Sequence, residues 1–485
     1  MPAVNKKKAV CICLLFFLGA LWAEENTPST NDTSLRDDEL MGLLGEDSPA
    51  DVPLVVDSAS IENQTLADAV NKKSVTFNGS LDSRSSYSMS RDYFFGKSNA
   101  YNKNAISSYV QGDFSADARL GKGFKGYVSG RVYYSPFASI QQNITYNPGG
   151  FNPGLSTNYS LENTFFSLQE FFIDLNVQRY VYMRLGKQVL QWGRGYLWNP
   201  TDLVNTEKKN FFDLNASRSG AYGAKLHIPF GSKVNWFTFG DLSGATNFDR
   251  VAGASKFEAL LNNTEVSVSG WWKKNKHSVF GADLSTRIPG ADINFTAEAS
   301  LSYGNNKQKV KRKVYATNIA GTDYILTNYV PYKENKDWTP AVCAGLGRSF
   351  TVGGKEDRLA VHAELFYNGA GYTNNIFRQV ASDYTNSAVT AQLLSGYYIP
   401  LYHSRYYAAL FFSFSDFIVS DLTMSMNFVG NIDDQTVTTV LGLGYSPVYN
   451  LLIGLNISGY YGRGNGEFTF NGQALKPELY VQLTF

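Results

Sequence analysis

Residues 476–485, KPELYVQLTF, decide how the fold is read. Leu479, Val481, Leu483 and Phe485 fall on one side, and Tyr480, Gln482 and Thr484 on the other. That is the period-two alternation of a strand with one apolar and one polar face. An alternating apolar strand left unpaired at a chain end would recruit other edges. Pairing the last strand with the first abolishes the edge, and a closed barrel is the β-architecture that satisfies every backbone group within a bilayer. The expected fold is therefore all-β: one transmembrane antiparallel up-and-down β-barrel over residues 74–485.

Composition supports this reading. The chain carries 43 Gly, 31 Tyr and 33 Phe, with 15% aromatic and only 18% charged residues. Tyr- and Gly-rich sequence suits strands whose apolar band lies between aromatic girdles. Mean hydropathy is −0.23, and beyond the N-terminus no apolar run approaches the roughly 20 residues of a spanning helix. Residues 1–23 read as a signal peptide: Lys6, Lys7 and Lys8, an apolar core from Ala9 to Leu21, and Ala23 as the cleavage-site residue. Cys11 and Cys13 leave with it, so Cys343 remains alone and no intramolecular disulfide is expected. Loss of its three lysines takes the net charge from +1 to −2, a balance that gives no reason to expect nucleic-acid binding.

Residues 24–73 differ in texture. From 24 to 72, twelve acidic residues face only Arg36 and Lys72, Pro28, Pro49 and Pro53 interrupt the run, and aromatic residues are missing. The segment reads as a solvated, disordered or partly helical periplasmic tail, with a lumen plug as the alternative. From Ser74 the alternation begins, with tight turns near Gln178-Arg179, Gly231-Ser232, Pro289-Gly290, Gly353-Gly354 and Pro447-Val448. Longer polar stretches separate them, at 84–106, 136–164, 191–218, 243–276, 304–337, 369–403 and 462–474. Short turns on one side and long loops on the other match a transmembrane barrel.

The strands so read are 74–83, 107–120, 123–135, 165–177, 180–190, 219–229, 233–242, 277–288, 291–303, 338–351, 357–368, 404–415, 418–429, 435–446, 449–461 and 475–485. They number about 16, within a range of roughly 14 to 18. Segments 264–272 and 387–400 also look strand-like. Either alone breaks the up-down parity, and both together put short turns on the long-loop side, so both are assigned to outer loops.

Residues 165–202 hold the most informative hairpin. Glu170, Asp174 and Asn176 share a face with Phe166 and Phe172, and Arg184 and Gln188 share one with Tyr182. A turn centred on Arg179 sets Asp174 opposite Arg184 and Glu170 opposite Gln188. Charges in spanning strands face the lumen, since an Arg near the midplane on the lipid side costs about 2–4 kcal/mol. The run Arg184-Leu185-Gly186-Lys187-Gln188, then Trp192-Gly193-Arg194-Gly195, then Asn199-Pro200-Thr201-Asp202, resembles a hairpin of bacterial porin-like outer-membrane barrels. There a strand of the form R-x-G-[RK]-Q leads into a W-G motif and an N-P loop. The C-terminal strand, with Tyr480 and Phe485, resembles the assembly signal of such barrels. The resemblance implies the outer membrane, the barrel assembly machinery as a partner and a diffusion pore, and it implies no substrate. Trp192 and Trp198 suit a headgroup zone, and Gly193 and Gly195 permit a bend. Two readings of the 191–218 loop follow: an inward constriction with Trp192, Arg194, Trp198 and Asp202, or an ordinary outer loop.

No catalytic centre is expected. His227, His277, His362 and His403 have no metal-ligand partner at a recognisable spacing, and His362 and Glu364 read as lumen-facing polar residues. Neither a cofactor nor a metal is called for. Basic lumen candidates are Arg119, Lys125, Arg131, Arg184, Lys225, Arg348 and Arg405; acidic ones are Glu170, Asp174, Asp283, Glu298 and Glu364. The lumen is therefore mixed in charge. Lys307, Lys309, Lys311, Arg312 and Lys313 form a basic patch in an outer loop. Three functions compete: a weakly selective channel for small solutes, a surface binding or adhesion barrel working through loops 304–337 and 369–403, and a carrier for hydrophobic molecules plugged by residues 24–73. The sequence does not choose between a monomer and a trimer.

Overall fold

The computed structural model describes residues 74–96, 105–121, 124–136, 164–177, 180–190, 192–204, 208–209, 211–212, 218–319, 322–334, 337–383 and 397–485. The signal peptide, its cleavage near Ala23 and the acidic segment lie outside these residues. Twenty strands occur among them, β1 (Ser74–Ser90), β2 (Ala105–Gly121), β3 (Phe124–Tyr134), β4 (Thr164–Val177), β5 (Val181–Gln188), β6 (Ala221–Phe230), β7 (Val234–Asp241), β8 (Ala252–Leu261), β9 (Thr264–Lys273), β10 (Val279–Ile288), β11 (Ile293–Tyr303), β12 (Lys309–Ile319), β13 (Thr322–Tyr332), β14 (Trp338–Val352), β15 (Lys355–Asn368), β16 (Tyr406–Phe414), β17 (Leu422–Asn431), β18 (Thr436–Val448), β19 (Leu451–Gly462) and β20 (Gln473–Thr484). Two short helices, α1 (Arg91–Phe94) and α2 (Ile376–Asp383), lie in connections.

Eighteen strands form one antiparallel meander, which β1 and β20 close, while β12 and β13 make a separate hairpin. Alternation sets the two faces. On β20, Leu479, Val481 and Leu483 are exposed outward, while Tyr480 pairs with Arg84, Gln482 with Asp82 and Thr484 with Ser80 on the inner side. On β15, Leu365 points out and Glu364, Phe366 and Asn368 are buried inside. An apolar outer face over a polar inner one is the pattern a barrel turns to lipid.

The count lies at the top of the expected range, and the two extra strands are β8 and β9. Segment 264–272 is a wall strand and not part of an outer loop; its partner, 252–261, was read as loop. Parity misled the reading, because the connection 274–278 is short although it lies on the long-loop side, as does 432–435. Residues 397–400 of the other strand-like segment form turns, and 384–396 lie outside the described residues. The 304–337 loop carries the β12–β13 hairpin, and the β18–β19 hairpin turns at Tyr449–Asn450 because Pro447 and Val448 still belong to β18.

A β-bulge corrects the face of Phe166. Ser129 pairs with Glu170 but Gly130 with Leu168, so Gln169 is the extra residue and the alternation flips there. Phe166 therefore faces outward, away from Glu170 and Asp174. Arg348 is also displaced from the lumen. Its neighbour Gly347 pairs with inward-facing His362, so Arg348 lies outward, near the turn at Gly353–Gly354, with its guanidinium 4.8 Å from the Phe350 ring centre. A guanidinium stacked on an aromatic ring near a strand end can reach the polar rim of a bilayer. Arg405 precedes β16 and belongs to an outer connection.

The seam is sealed at Phe485. Gly79 N–H donates to the Phe485 carbonyl at 2.8 Å, and Phe485 N–H to the Gly79 carbonyl at 2.9 Å. The Phe485 ring lies over Gly79 so closely that a Cβ there would sit 2.5 Å from it. Deleting Phe485 removes both hydrogen bonds at about 0.5–1.5 kcal/mol each. Gly79→Ala only displaces a mobile ring and costs less. In urea unfolding followed by tryptophan fluorescence, the deletion should lower the midpoint and the alanine variant should stay near the parent. Equal midpoints for deletion and parent would show that the seam is held elsewhere.

Candidate functional site

The connection between β5 and β6 turns into the barrel. Its path is set by two carboxylates on one stretch of inner wall, Glu298 on β11 and Glu364 on β15, which flank β14 and are 2% and 1% exposed. Glu298 accepts from the backbone N–H groups of Arg194 and Gly195, from Thr201 N–H at 3.2 Å and from Thr201 Oγ1 at 2.8 Å. Glu364 accepts from Tyr196 N–H, from Leu197 N–H at 2.9 Å and from Trp198 N–H at 3.2 Å. A buried carboxylate is stable only where donors replace its water shell, and a loop without secondary structure has N–H groups to offer. Gly195 makes the tight fold possible, since a Cβ there would lie 2.0 Å from the Trp198 carbonyl oxygen.

Apolar side chains complete the docking. Leu197, Trp198 and Phe211 join Cys343, Phe366, Tyr407, Ala409, Phe411, Val429 and Val440 of the inner wall in one cluster. Trp198 Nε1 donates to the Leu401 carbonyl at 3.0 Å, and its ring stacks on Phe366 with centres 5.4 Å apart. Leu190, Trp192 and Val204 pack on Ala221, Phe239 and Ala254 of β6, β7 and β8. Neither tryptophan lies in a headgroup zone; both are buried inside the barrel. Burial of each such ring adds a few kcal/mol.

Charge fixes the loop further. Arg194 bridges Glu258 at 2.7 Å, Glu265, and Asp283 at 3.4 Å. Lys256, buried beside them, lies 3.0 Å from Glu258 and donates to the Trp192 carbonyl at 3.2 Å. Burial works against the Arg194 cation, but the three carboxylates outweigh it and hold its pKa above the ordinary value. Asp202 is buried against Arg218 at 3.0 Å. Lys209 donates to the Gly195 and Tyr196 carbonyls at 2.8 and 3.0 Å, and burial lowers its pKa.

The remaining candidates lie on the wall at the start of the chain or beside the loop. Asp174 and Arg184 pair across β4 and β5 with two bonds of 2.7 and 3.1 Å. Glu170 accepts from Val189 N–H at 2.8 Å and so holds the loop's first residue; Gln188 is fully buried and donates to the Arg184 carbonyl at 3.2 Å. Arg131–Asp113 and Lys125–Asp117 continue this ion-paired wall at 2.7 and 2.9 Å. His362 lies 3.3 Å from Glu364 and stacks on Tyr196, with ring centres 4.8 Å apart. The sequence reading missed Glu258, Glu265, Lys256 and Thr201, all of which contact the loop or its anchors. The clue was available in the Glu258/Glu265 spacing across Asn262-Asn263, a hairpin-turn dipeptide.

A second clasp joins the outer connections. Glu467, between β19 and β20, accepts from Leu401 N–H at 2.9 Å, Tyr407 Oη at 2.7 Å and Asn431 Nδ2 at 2.7 Å. Tyr398 Oη lies 3.4 Å away, and Asp434 accepts from Glu467 N–H at 2.5 Å. Burial lifts the Glu467 carboxyl to about 7; the Tyr407 bond opposes this, and the Asp434 charge adds to it.

No protein-family model and no curated protein sequence matches this chain. Among solved structures it is similar to Pseudomonas aeruginosa OccK9 (OpdG), at 8% identity and a TM-score of 0.49, over 85% of this chain and 98% of that one. It is also similar to P. aeruginosa OccK2 (OpdF) in complex with glucuronate, and to a BenF-like porin from Pseudomonas fluorescens Pf-5. Each of these is 11% identical with a TM-score of 0.48, over 85% of this chain and 98% of that one. At this distance the likeness assigns the chain neither a family nor a solute.

Replacing Glu364 or Glu298 by Ala strands three loop N–H groups each, at about 1–3 kcal/mol per buried donor. The loop should swing off the wall and single-channel conductance should rise, while the barrel keeps its heat-modifiable mobility. Unchanged conductance in an intact barrel would show that the loop does not narrow the path.

The Glu467 clasp should depend on pH. Its folded value, about 7, lies above the ordinary 4.5, so the folded loops bind a proton that the released loops give up. Their anchorage is complete below the ordinary value and weakens as pH rises through about 7. Amide exchange of 397–405 and 463–472, corrected for intrinsic rates, should accelerate over that window in the parent and stay level in Glu467→Gln. Parallel profiles would exclude this carboxyl as the origin.

Proposed function

We propose that the protein is an outer-membrane channel that passes small solutes through a lumen narrowed by the β5–β6 loop. The observation that carries this reading is the loop itself, pinned inside a closed barrel by Glu298 and Glu364. An eighteen-stranded barrel is wide enough to enclose an aqueous path. The wall formed by β2 to β5 supports such a path. Its inward ion pairs stay partly wet, with side chains of Asp113, Arg131, Asp174 and Arg184 exposed by 32%, 20%, 25% and 18%. The loop leans on the other side, against β6–β11 and β14–β18. It constricts the barrel where both walls meet and leaves this polar wall to line the passage. The outward apolar face supports residence in a bilayer, with residues 1–23 as export signal cut near Ala23 and the final strand as the segment read by the assembly machinery.

Catalysis is not part of this reading. The His362–Glu364 pair inside the barrel uses a glutamate whose oxygens are occupied by loop N–H groups. A second function, surface binding, is supported by the β12–β13 hairpin, where Val310 and Tyr329 pack on Tyr372 and α2 in a cluster of their own. A carrier for hydrophobic molecules would need residues 24–73 as its plug.

Planar-bilayer recording tests the channel reading. Purified protein should give stable single-channel steps in KCl, and Arg184→Asp should shift the reversal potential under a salt gradient towards cation preference. The Asp174–Arg184 pair is partly solvated, so losing it should cost only about 0–1 kcal/mol of stability. A charge beside the path, by contrast, sets the local counter-ion concentration. A barrel that inserts without conducting would refute the pore. A normal pore whose variant has the parent's reversal potential would remove Arg184 from the path.

A further inference from the structure

A cavity of about 290 Å³ opens among the outer connections, between the β12–β13 hairpin on one side and residues 371–379 on the other, with Arg405 also lining it. Four cationic side chains line it, Lys309, Lys311, Arg312 and Arg405, against one carboxylate, Glu334. Two of the cations are already matched. Lys309 Nζ lies 3.0 Å from both Glu334 Oε2 and the Gly371 carbonyl oxygen, and Arg312 makes two bonds of 2.8 and 2.9 Å to Asp383. The side chains of Lys311 and Arg405 have no acidic partner among the described residues; Arg405 N–H donates to Asp433 Oδ2 at 2.8 Å, but its Nε is buried without a hydrogen-bond partner. A buried guanidinium donor left unpaired is unfavourable, and a bound acceptor would satisfy it.

The rest of the lining suits a hydroxylated ring. Tyr332 offers a ring surface beside the buried Tyr372, and Thr373, Asn374 and Gln379 offer polar groups. Lys311 Nζ lies 5.2 Å from the centre of the Tyr332 ring. The surroundings are under-neutralised too. Lys307 donates to the Tyr402 carbonyl at 2.7 Å, and burial together with the Lys309 charge lowers its pKa to about 8. Neither nitrogen of buried His403 has a partner among the described residues.

We propose that this cavity binds a phosphorylated sugar. Two unpaired cations match a phosphate monoester, with about 1.5 to 2 negative charges at neutral pH, better than a single carboxylate. Roughly 290 Å³ is close to the lower end of small-molecule sites, enough for one sugar ring and its phosphate. Such a group can come from a free sugar phosphate or from the phosphorylated sugars of an outer-leaflet glycolipid; both present the same chemistry to Lys311 and Arg405.

Titration calorimetry on the full-length barrel in detergent, with glucose 6-phosphate, glucose and inorganic phosphate as probes, tests the assignment. Glucose 6-phosphate should bind saturably, more tightly than inorganic phosphate, and weaken as salt rises, and glucose should not bind. Lys311→Gln with Arg405→Gln should weaken binding at least tenfold, and Arg405→Lys should restore part of it. Heat-modifiable mobility shows in each case that the variant barrel is folded. Equal affinity in parent and folded double variant, or no binding by the parent, overturns the proposal. Displacement of glucose 6-phosphate by vesicles containing phosphorylated lipopolysaccharide, but not by phosphatidylcholine vesicles, assigns the site to the glycolipid. No displacement by either assigns it to the free solute. Conductance in KCl alone tests the pore, so either reading can fail while the other stands.

Discussion

Two carboxylates buried inside a barrel, Glu298 and Glu364, set the condition that the interior must meet. Neither can lose its water shell to a dry wall without donors to replace it, and neither neighbouring strand has N–H groups to spare, because the ladder uses them. The donors come from a loop that has no ladder of its own, over Arg194 to Trp198 and at Thr201. Each side thus satisfies the other's unpaired groups. The loop's backbone N–H groups take the place of water around the two carboxyl groups, and its tryptophan and leucine side chains cover the remaining inner surface.

The same exchange makes the lumen electrically lopsided. On the β8–β11 side, Glu258, Glu265, Asp283 and Glu298 are held by Arg194, Lys256 and loop donors. On the β1–β5 side the acids meet cations within the wall, as in Arg84–Asp82, Arg131–Asp113 and Arg184–Asp174. The first group converges on the loop through Arg194 and is driest at Asp283, Glu298 and Lys256. In the second, Arg131–Asp113 and Arg184–Asp174 are partly wet, where the effective dielectric is high and pairing is weak, whereas Asp82 is buried. A mixed charge inventory in the sequence thus becomes two walls with different partners, one that holds the loop and one that pairs its charges within itself.

How much of this was readable follows from the range of each signal. The closing strand was legible because alternation over ten residues is local, and the Asp174–Arg184 pair because one turn centre fixes a hairpin register. Glu298 and Glu364 could be named as inward acids from alternation alone. Their role could not, since their donors lie about a hundred residues or more away in sequence, separations of 104 and 168 for Arg194 and Tyr196. The bulge at Gln169 has no residue signature and moved Phe166 to the other face. Strand β8, AGASKFEALL, was lost because small inward alanines weaken the alternation, and because a rule about loop lengths outweighed it.

The sequence separation of the anchors also orders assembly. The loop leaves the chain after β5, but its partners lie on β8, β9, β10, β11 and β15, which follow it. Until those strands pair, residues 194–201 lack the carboxyl groups that accept their N–H groups, and Trp198 has no wall to cover. Long-range contacts form late because loop closure must precede them. The wall is likewise incomplete without the loop, since Glu298 and Glu364 would stand unsatisfied. Barrel closure and loop insertion are therefore coupled steps. Their common stability is not stored in the ladder alone, which any alternating sequence could build, but in the fit between one irregular segment and the two carboxylates that receive it.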